Sequence, residues 1–370
     1  MNYQICSKTV MDNISDPDIT FNKDGVCNYV AEYEQRFKQR YIPNELKEEK
    51  LNKLIDEIKV EGKNAEYDCI IGVSGGVDST YTAYMVKKLG LRPLAVHLDN
   101  GWNSELAVSN IEKTLKILDI DLYTIVLDWE EFKDIQKAFL LASTPDSEVP
   151  SDHAIFATLY KLASKYKIKY LIMGSNIKTE GFLPLTWSYG HYDWNYIKGI
   201  HKKFGTVKNL KDFPVLRLVN IFIYMYVLKI KRISILDYID FDKDEAIETL
   251  KKELEYVPYQ EKHYESVYTR FYQGYIMPLK FKMDKRKTHY STMICSGLMD
   301  RETALELLKK DTYPTPQLKI IDKAFVLKKF GYTEVEFENI MSLPVKTFKE
   351  YPNNYKMVNF LWNLYRTVVS

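Results

Sequence analysis

The chain of 370 residues is long enough to bury a large core and lies near the length at which one core begins to divide, which predicts one catalytic domain with attachments. Charged residues make up 28% of it and nearly cancel to a formal net charge of +2, which excludes the global basic field of a non-specific nucleic-acid binder. Cys6, Cys27, Cys69 and Cys295 are few and scattered, and the opening MNYQICSKTV lacks the basic flank and apolar run of a secretion signal, so the expected compartment is the reducing cytoplasm.

Residues 1 to about 30 are polar and turn-rich, and a charged, helix-periodic stretch follows over 33–60, which together predict an N-terminal attachment spanning 1–62. Short apolar runs then alternate with amphipathic segments. Strands are predicted at 69–73, 94–98, 122–127 and 170–173, with helices at 79–89, 105–118 and 155–166. This alternation predicts a doubly wound, mostly parallel α/β sheet over 63–205, with ligands beyond the carboxyl ends of its strands. From about Gly205 the alternation is lost, and 206–370 reads as a mainly helical region packed on the sheet. Its most apolar stretch, 219–228, is about half the ~20 residues a membrane span needs, so no span is expected and the stretch reads as a buried element.

The first predicted strand runs straight into Ser74, Gly75, Gly76, Val77, Asp78 and Ser79, and a helix starts at once. Paired glycines allow close backbone approach, and the amides of a first helical turn are anion donors, so the expected ligand is a phosphate chain. Asp78 among phosphate oxygens makes sense as a magnesium ligand. The glycine pair alone is more often a plain turn. The whole SGGVDS string is more specific: it resembles the signature of the PP-loop ATP pyrophosphatases, which hold the β and γ phosphates as leaving group and expose the α phosphate to attack. A Walker loop is excluded, because the GK[ST] ending is missing.

Two more strand ends carry polar clusters. HLDNGW (97–102) offers Asp99 toward the adenosine, against an equally weighted reading in which this turn only prepares a helix capped by Asn103 or Ser104. GSNIKTEG (174–181) offers Gly174, Lys178 as partner for the α phosphate in the transition state, and Glu180 as second magnesium ligand. Asp152 and His153 open the preceding helix and are candidate substrate-binding residues. Their bland readings are dipole compensation and a hydrogen-bonded surface group.

The C-terminal region carries His263, Glu265, Arg270, Gln273, Lys280, Asp284, Lys285, Arg286, His289 and Ser296 among aromatic residues. A solvated cationic face is the common meaning of such a run. The mixture of Gly, Gln, His and aromatics instead suits a pocket that hydrogen-bonds a sugar and pairs with phosphates. The segment KHYESVYTRFYQGYIMPLKFKMDKRKTHYSTMICSGLMDR (262–301), together with SGGVDS, HLDNGW, SDHAIFATLYKLA and GSNIKTEG, resembles the N-acetyl sugar amidotransferase family of PP-loop enzymes, almost end to end.

That resemblance implies an ATP- and Mg2+-dependent enzyme of bacterial surface-glycan synthesis, including lipopolysaccharide O-antigen. It would convert an acetamido group on a nucleotide-activated sugar into an acetamidino group. Ammonia would come from a separate glutaminase subunit, with a cyclase-like barrel subunit as candidate relay. Relatives open with two CxxC pairs, whereas this chain keeps only Cys6 and Cys27, so zinc is not expected. Two other readings stand beside this one: a PP-loop tRNA-thiolating enzyme, and a non-catalytic partner that retains the fold.

Overall fold

The structure, a computed structural model, describes residues 2–259 and 264–360. An N-terminal knuckle leads into α1 (Asn28–Arg40) and α2 (Asn44–Gly62). The alternating part follows as β1 (Cys69–Gly72), α3 (Val77–Lys88), β2 (Pro93–Asp99), α4 (Glu105–Leu118), β3 (Asp121–Val126), α5 (Trp129–Ala142), α6 (Val149–Lys165) and β4 (Tyr170–Met173). Next come α7 (Trp194–Phe204), α8 (Leu218–Phe222) with a π turn over Ile223–Val227, β5 (Lys231–Ser234) and α9 (Lys243–Leu254). The C-terminal helices are α10 (Val267–Phe271), which continues as a π stretch over Tyr272–Phe281, then α11 (Lys285–Cys295), α12 (Arg301–Leu308), α13 (Pro316–Phe330) and α14 (Glu334–Ser342).

All five strands are parallel, in the order β3-β2-β1-β4-β5. Ile70 of β1 lies opposite Leu94 of β2 on one side and Leu171 of β4 on the other. The strand order therefore reverses between β1 and β4, and the crevice beyond their carboxyl ends is the switch point at which open α/β sheets bind ligands. Side chains alternate across the sheet as a two-residue period requires. Cys69 and Ile71 join α2, α3 and α4 in one core through Ile58, Val86 and Ile111, while Ile70 faces α6 through Leu159 and Ala163.

The sheet does not end at the expected boundary near 205. β5 pairs in parallel with β4, Leu171 opposite Arg232, so residues to Ser234 belong to the nucleotide-type unit. The four-residue strand KRIS carries two cations on an exposed edge, which hides it from a search for apolar runs. The expected burial of 219–228 is also corrected. Val219, Phe222, Tyr226 and Val227 are more than half exposed, and it is Ile221, Tyr224 and Leu228 that pack on the sheet core.

The N-terminal attachment is shared between two cores. α2 lies on the sheet through Leu54, Ile55 and Ile58, whereas α1 joins the large helical core through Tyr29, Val30 and Tyr33. In the knuckle, Thr9 and Val30 occupy the places of the absent cysteines and are buried beside Cys6 and Cys27. The Cys6 sulfur accepts the amides of Cys27 (3.2 Å) and Thr9 (3.4 Å), so amide-to-sulfur bonds close the turn. Bonding from Cys27, with these amides, holds the Cys6 thiol below its usual range. Among the described residues no three His, Cys, Asp or Glu side chains gather as a metal site. The Arg301 guanidinium donates to the carbonyls of Cys6 and Thr9, fastening the knuckle to the start of α12.

Candidate active site

The SGGVDS loop fills the turn between β1 and α3. Gly75 has a φ of +81°, and a Cβ there would stand 2.6 Å from the Ala107 carbonyl oxygen on α4. The Ser79 hydroxyl accepts the Ser74 amide at 3.2 Å, donates to the Gly76 carbonyl at 3.1 Å and lies 3.1 Å from the Ser74 hydroxyl, so the two serines hold the loop shut. Gly76 is the N-cap of α3 and gives it no side-chain cap. The first-turn amides around Val77 and Asp78 thus open toward the switch-point crevice, with the helix dipole behind them. This fits a phosphate chain. Asp78 in that turn suits magnesium, which takes one or two carboxylates and completes its shell with phosphate oxygens and water.

The end of β2 forms the second wall. His97 bonds the Val73 carbonyl through Nδ1 and faces the Asn103 amide through Nε2, tying β2 to the phosphate loop. Asp99 accepts the Gly101 amide at 2.8 Å and the Asn103 side chain at 3.3 Å, and Ser104 caps α4 by accepting the Ala107 amide. The capping reading of this turn is therefore present, and Asp99 sits half-exposed at its mouth.

The end of β4 forms the third wall. Gly174 is pressed against α3: a Cβ there would lie 3.0 Å from the Asp78 carbonyl carbon and oxygen. The loop that follows is clamped by α11. Ser296 donates to the Lys178 carbonyl, His289 bonds the Thr179 carbonyl through Nδ1, and Thr292 accepts the amides of Gly181 and Phe182. His289 and Ser296, expected on the sugar, instead position the loop that carries Lys178 and Glu180. Lys178 lines a shallow groove with Arg40 and Lys47, and Glu180 is exposed.

Five more C-terminal residues expected on substrate have polar atoms bonded to the protein itself. Arg270, itself partly exposed, forms a two-pronged pair at 2.6 and 2.7 Å with the buried Asp322. Arg286 pairs with Asp284, the cap of α11, and donates to the carbonyls of Leu307, Lys310 and Asp311 at the end of α12. Lys280 donates to the Ile340 carbonyl on α14, and burial pushes its pKa down to about 8. Gln273 donates to Glu148 at 3.2 Å. Because removing one partner strands a buried charge, Arg270→Ala is expected to cost about 3–5 kcal/mol of stability, read from urea unfolding. Arg270→Lys should recover only part of it, since an ammonium cannot reproduce the fork.

His153 is a structural group as well: it accepts the Leu216 amide at Nε2, bonds the His191 carbonyl at Nδ1 and is fully buried. Its neighbour Asp152 is exposed at the start of α6. The Asn100 side chain meets Ser151 at 3.3 Å, which sets the start of α6 beside the end of β2. Asp152 is open to solvent at its edge yet crowded by surrounding protein, and that desolvation pushes its carboxyl up to about 8, with Asp146 and Glu148 adding to the rise and Lys285 opposing it. Asp146 and Glu148 escaped the sequence reading because PDSE before a helix looks like a turn and cap. His263 lies outside the described residues.

A parallel sheet of this order, with SGGVDS at its switch point, is the arrangement that the resemblance to the PP-loop ATP pyrophosphatases predicts. Within that class the C-terminal part is the distinguishing feature: residues 265–368 match the family "LPS biosynthesis protein WbpG-like, C-terminal domain", in agreement with the resemblance to the N-acetyl sugar amidotransferases. The chain is also similar to tRNA-specific 2-thiouridylase MnmA 2 of Fusobacterium nucleatum, 29% identical over 119 residues that cover 30% of this chain and 34% of that one. Similarity to the glutamine-hydrolyzing GMP synthase of Pyrobaculum aerophilum is 31% over 135 residues, or 35% and 25% of the two chains. The chain thus spans about a third of the length of the curated relatives it matches first. Among solved structures, NMN synthetase from Francisella tularensis is 21% identical, covering 58% of this chain and 87% of that one, with a TM-score of 0.29. Among the described residues no helix is long and apolar enough to cross a membrane.

Proposed function

We propose that the chain is an ATP-dependent amidotransferase that turns an acetamido group of a nucleotide-activated sugar into an acetamidino group, for lipopolysaccharide O-antigen or another surface glycan. The observation that carries the reading is the uncapped start of α3, open to a crevice whose β4 loop is clamped by α11 of the WbpG-like region. An amide carbonyl resists ammonia because its oxygen leaves poorly. The amide oxygen therefore attacks the α phosphorus of ATP, pyrophosphate leaves, and an O-adenylyl imidate forms. Ammonia adds to the imidate carbon, a proton is shed, AMP departs with the former amide oxygen, and an amidine remains.

The protein's share is positioning and charge control. The loop amides hold the β and γ phosphates, Lys178 is the candidate cation for the α phosphate, and magnesium at Asp78 would neutralise the leaving pyrophosphate. Asp152, whose carboxyl is raised chiefly by desolvation, is a candidate contact for the sugar. The ammonia would be delivered by a separate glutaminase subunit, with a cyclase-like subunit as relay.

Thiolation is disfavoured by the cysteines. Cys69 is sealed in β1, and burial raises the Cys295 thiol to about 11, so neither supplies a ready thiolate at the loop. The deciding measurement supplies ATP, magnesium and ammonium chloride with UDP-linked acetamido sugars or CMP-linked nonulosonic acids. AMP should appear only with the right sugar, together with a product in which one oxygen is replaced by NH. AMP release with no sugar of the panel, or sulfur transfer to tRNA, would overturn the proposal.

A further inference from the structure

The stretch 219–228, expected in the core, forms a ridge on the outside of the sheet. α8 and its π turn are seated on α6 through Ile221, Tyr224 and Leu228, and the Tyr224 ring stacks on Tyr160 at 5.4 Å. The outer side presents Val219, Phe222, Tyr226 and Val227, each 57–61% exposed, with Ile223 and Met225 beside them. Single exposed apolar residues are ordinary, whereas six within nine positions make a patch, and a patch marks an interaction surface. The charge around it has one sign. No acidic residue lies between Asp212 and Asp237, an interval that holds Arg217, Lys229, Lys231 and Arg232. Arg232 is turned onto Tyr192, while Arg217, Lys229 and Lys231 are exposed. Where β5 enters the sheet, the Lys231 amide donates to the Lys169 carbonyl at 2.7 Å, and the Lys169 amine donates to the Leu228 carbonyl at 2.8 Å. The exposed Lys165 and Lys167 precede that point in the chain. A lysine band therefore borders the apolar ridge at the amino end of β4 and β5, the end opposite the nucleotide crevice. The acidic residues at that end, Asp68 and Asp121, belong to the starts of β1 and β3 and are engaged by Arg92 and Tyr67.

The charge pattern selects the occupant. A second copy meeting this patch about a two-fold axis would set the lysine band against itself. Lysine is also depleted from the cores of protein interfaces, where arginine is preferred. An apolar, aromatic-bearing ridge bordered by lysines matches an anionic bilayer instead: the ridge enters the boundary between headgroups and acyl chains, and the lysine stems lie along it with their ammonium groups among the phosphates. We propose that the ridge over 219–227 docks the protein on the surface of an anionic lipid bilayer, with the amino end of β4 and β5 toward the headgroups. The crevice at the carboxyl ends of the strands then stays open to water. This docking is independent of which substrate the crevice takes.

The test is co-sedimentation of the full chain with vesicles of phosphatidylcholine mixed with phosphatidylglycerol, and with vesicles of phosphatidylcholine alone, at low and high salt. The wild type is expected to bind the anionic vesicles about tenfold or more tightly than the neutral ones, and added salt should release it. Phe222→Ser combined with Tyr226→Ser removes the two exposed rings and should weaken binding by about tenfold or more. Lys229→Glu combined with Lys231→Glu should abolish the preference for phosphatidylglycerol. Both pairs lie on the surface, so urea unfolding should stay near wild type; should the first pair fold poorly, the second carries the test. Equal binding to both vesicle types, no binding to either, or unchanged binding in both variants refutes the proposal. Dimerisation in sedimentation velocity that the ring substitutions abolish, without vesicle binding, overturns it in favour of a second copy. Capture of a purified glutaminase subunit through the same residues, again without vesicle binding, overturns it in favour of a protein partner.

Discussion

Gly75→Ala is expected to abolish useful ATP binding, with affinity falling by roughly 100-fold or more, a loss of about 3 kcal/mol on the affinity scale. Two costs combine. The φ of +81° belongs to glycine, and forcing an L-residue into the left-handed region costs about 1–2 kcal/mol. The new Cβ would also lie 2.6 Å from the Ala107 carbonyl oxygen and 3.0 Å from its Cα, which are backbone atoms of α4 and cannot swing aside. The loop must shift, and its amides lose their aim. Gly297→Ala separates the two effects, because Gly297 has a φ of +77° but nothing within 4 Å of an added Cβ. It should cost about 1–2 kcal/mol in urea unfolding and leave ATP binding intact. Calorimetric titration of both variants decides the matter, and near-normal ATP affinity in Gly75→Ala would remove the loop from the nucleotide site.

The parallel sheet was legible because its strands are short apolar runs between amphipathic helices. The predicted 170–173 strand and 105–118 helix coincide with β4 and α4. α5 went unread although Asp128 caps it and it buries nine residues, since the aromatic and charged mixture of WEEFKDIQ gives no clean stripe. The phosphate loop was legible for a different reason: its chemistry is local, with backbone amides and glycines consecutive in sequence. The C-terminal side chains were harder to read because a charged residue's partner is distant in sequence. Asp322 lies 52 residues beyond Arg270, and the carbonyls that take Arg286 lie 21 to 25 beyond it. Residue type alone does not distinguish an arginine awaiting phosphate from one already holding a carboxylate.

The same distance effect explains how the site is coupled. α11 holds the loop after β4 through His289, Thr292 and Ser296, while its other side receives the knuckle through Ser291 and Lys287, which bond Val10 and Asp12. The knuckle is therefore a mechanical support for the loop that carries Lys178 and Glu180. Thr9 and Val30 are buried at that end of the molecule.

His153 should set the acid limit of the fold. It packs beside Trp194 (5.7 Å) and Phe213 (6.1 Å), and both ring nitrogens are engaged, Nδ1 with the His191 carbonyl and Nε2 with the Leu216 amide. An Nε2 that accepts an amide cannot carry a proton, so the ring is neutral. Burial pulls its pKa down from 6.5 to about 4, opposed in part by the bond to His191. Between these values the unfolded chain takes up a proton that the folded chain refuses. The contribution is thus complete above pH 6.5 and is lost as pH falls toward 4, by about 3 kcal/mol in total. His153→Gln supplies one amide donor and one acceptor without a titrating group. Its absolute stability at pH 7 should be lower, because an aromatic stack is lost, but its decline from pH 7 to pH 4.5 should be shallower than that of the wild type by most of that amount. Urea unfolding at several pH values reads the difference, since every other acid-titrating group is common to both chains. Parallel pH profiles would mean that His153 is protonated in the folded state and that the Leu216 contact is not a hydrogen bond.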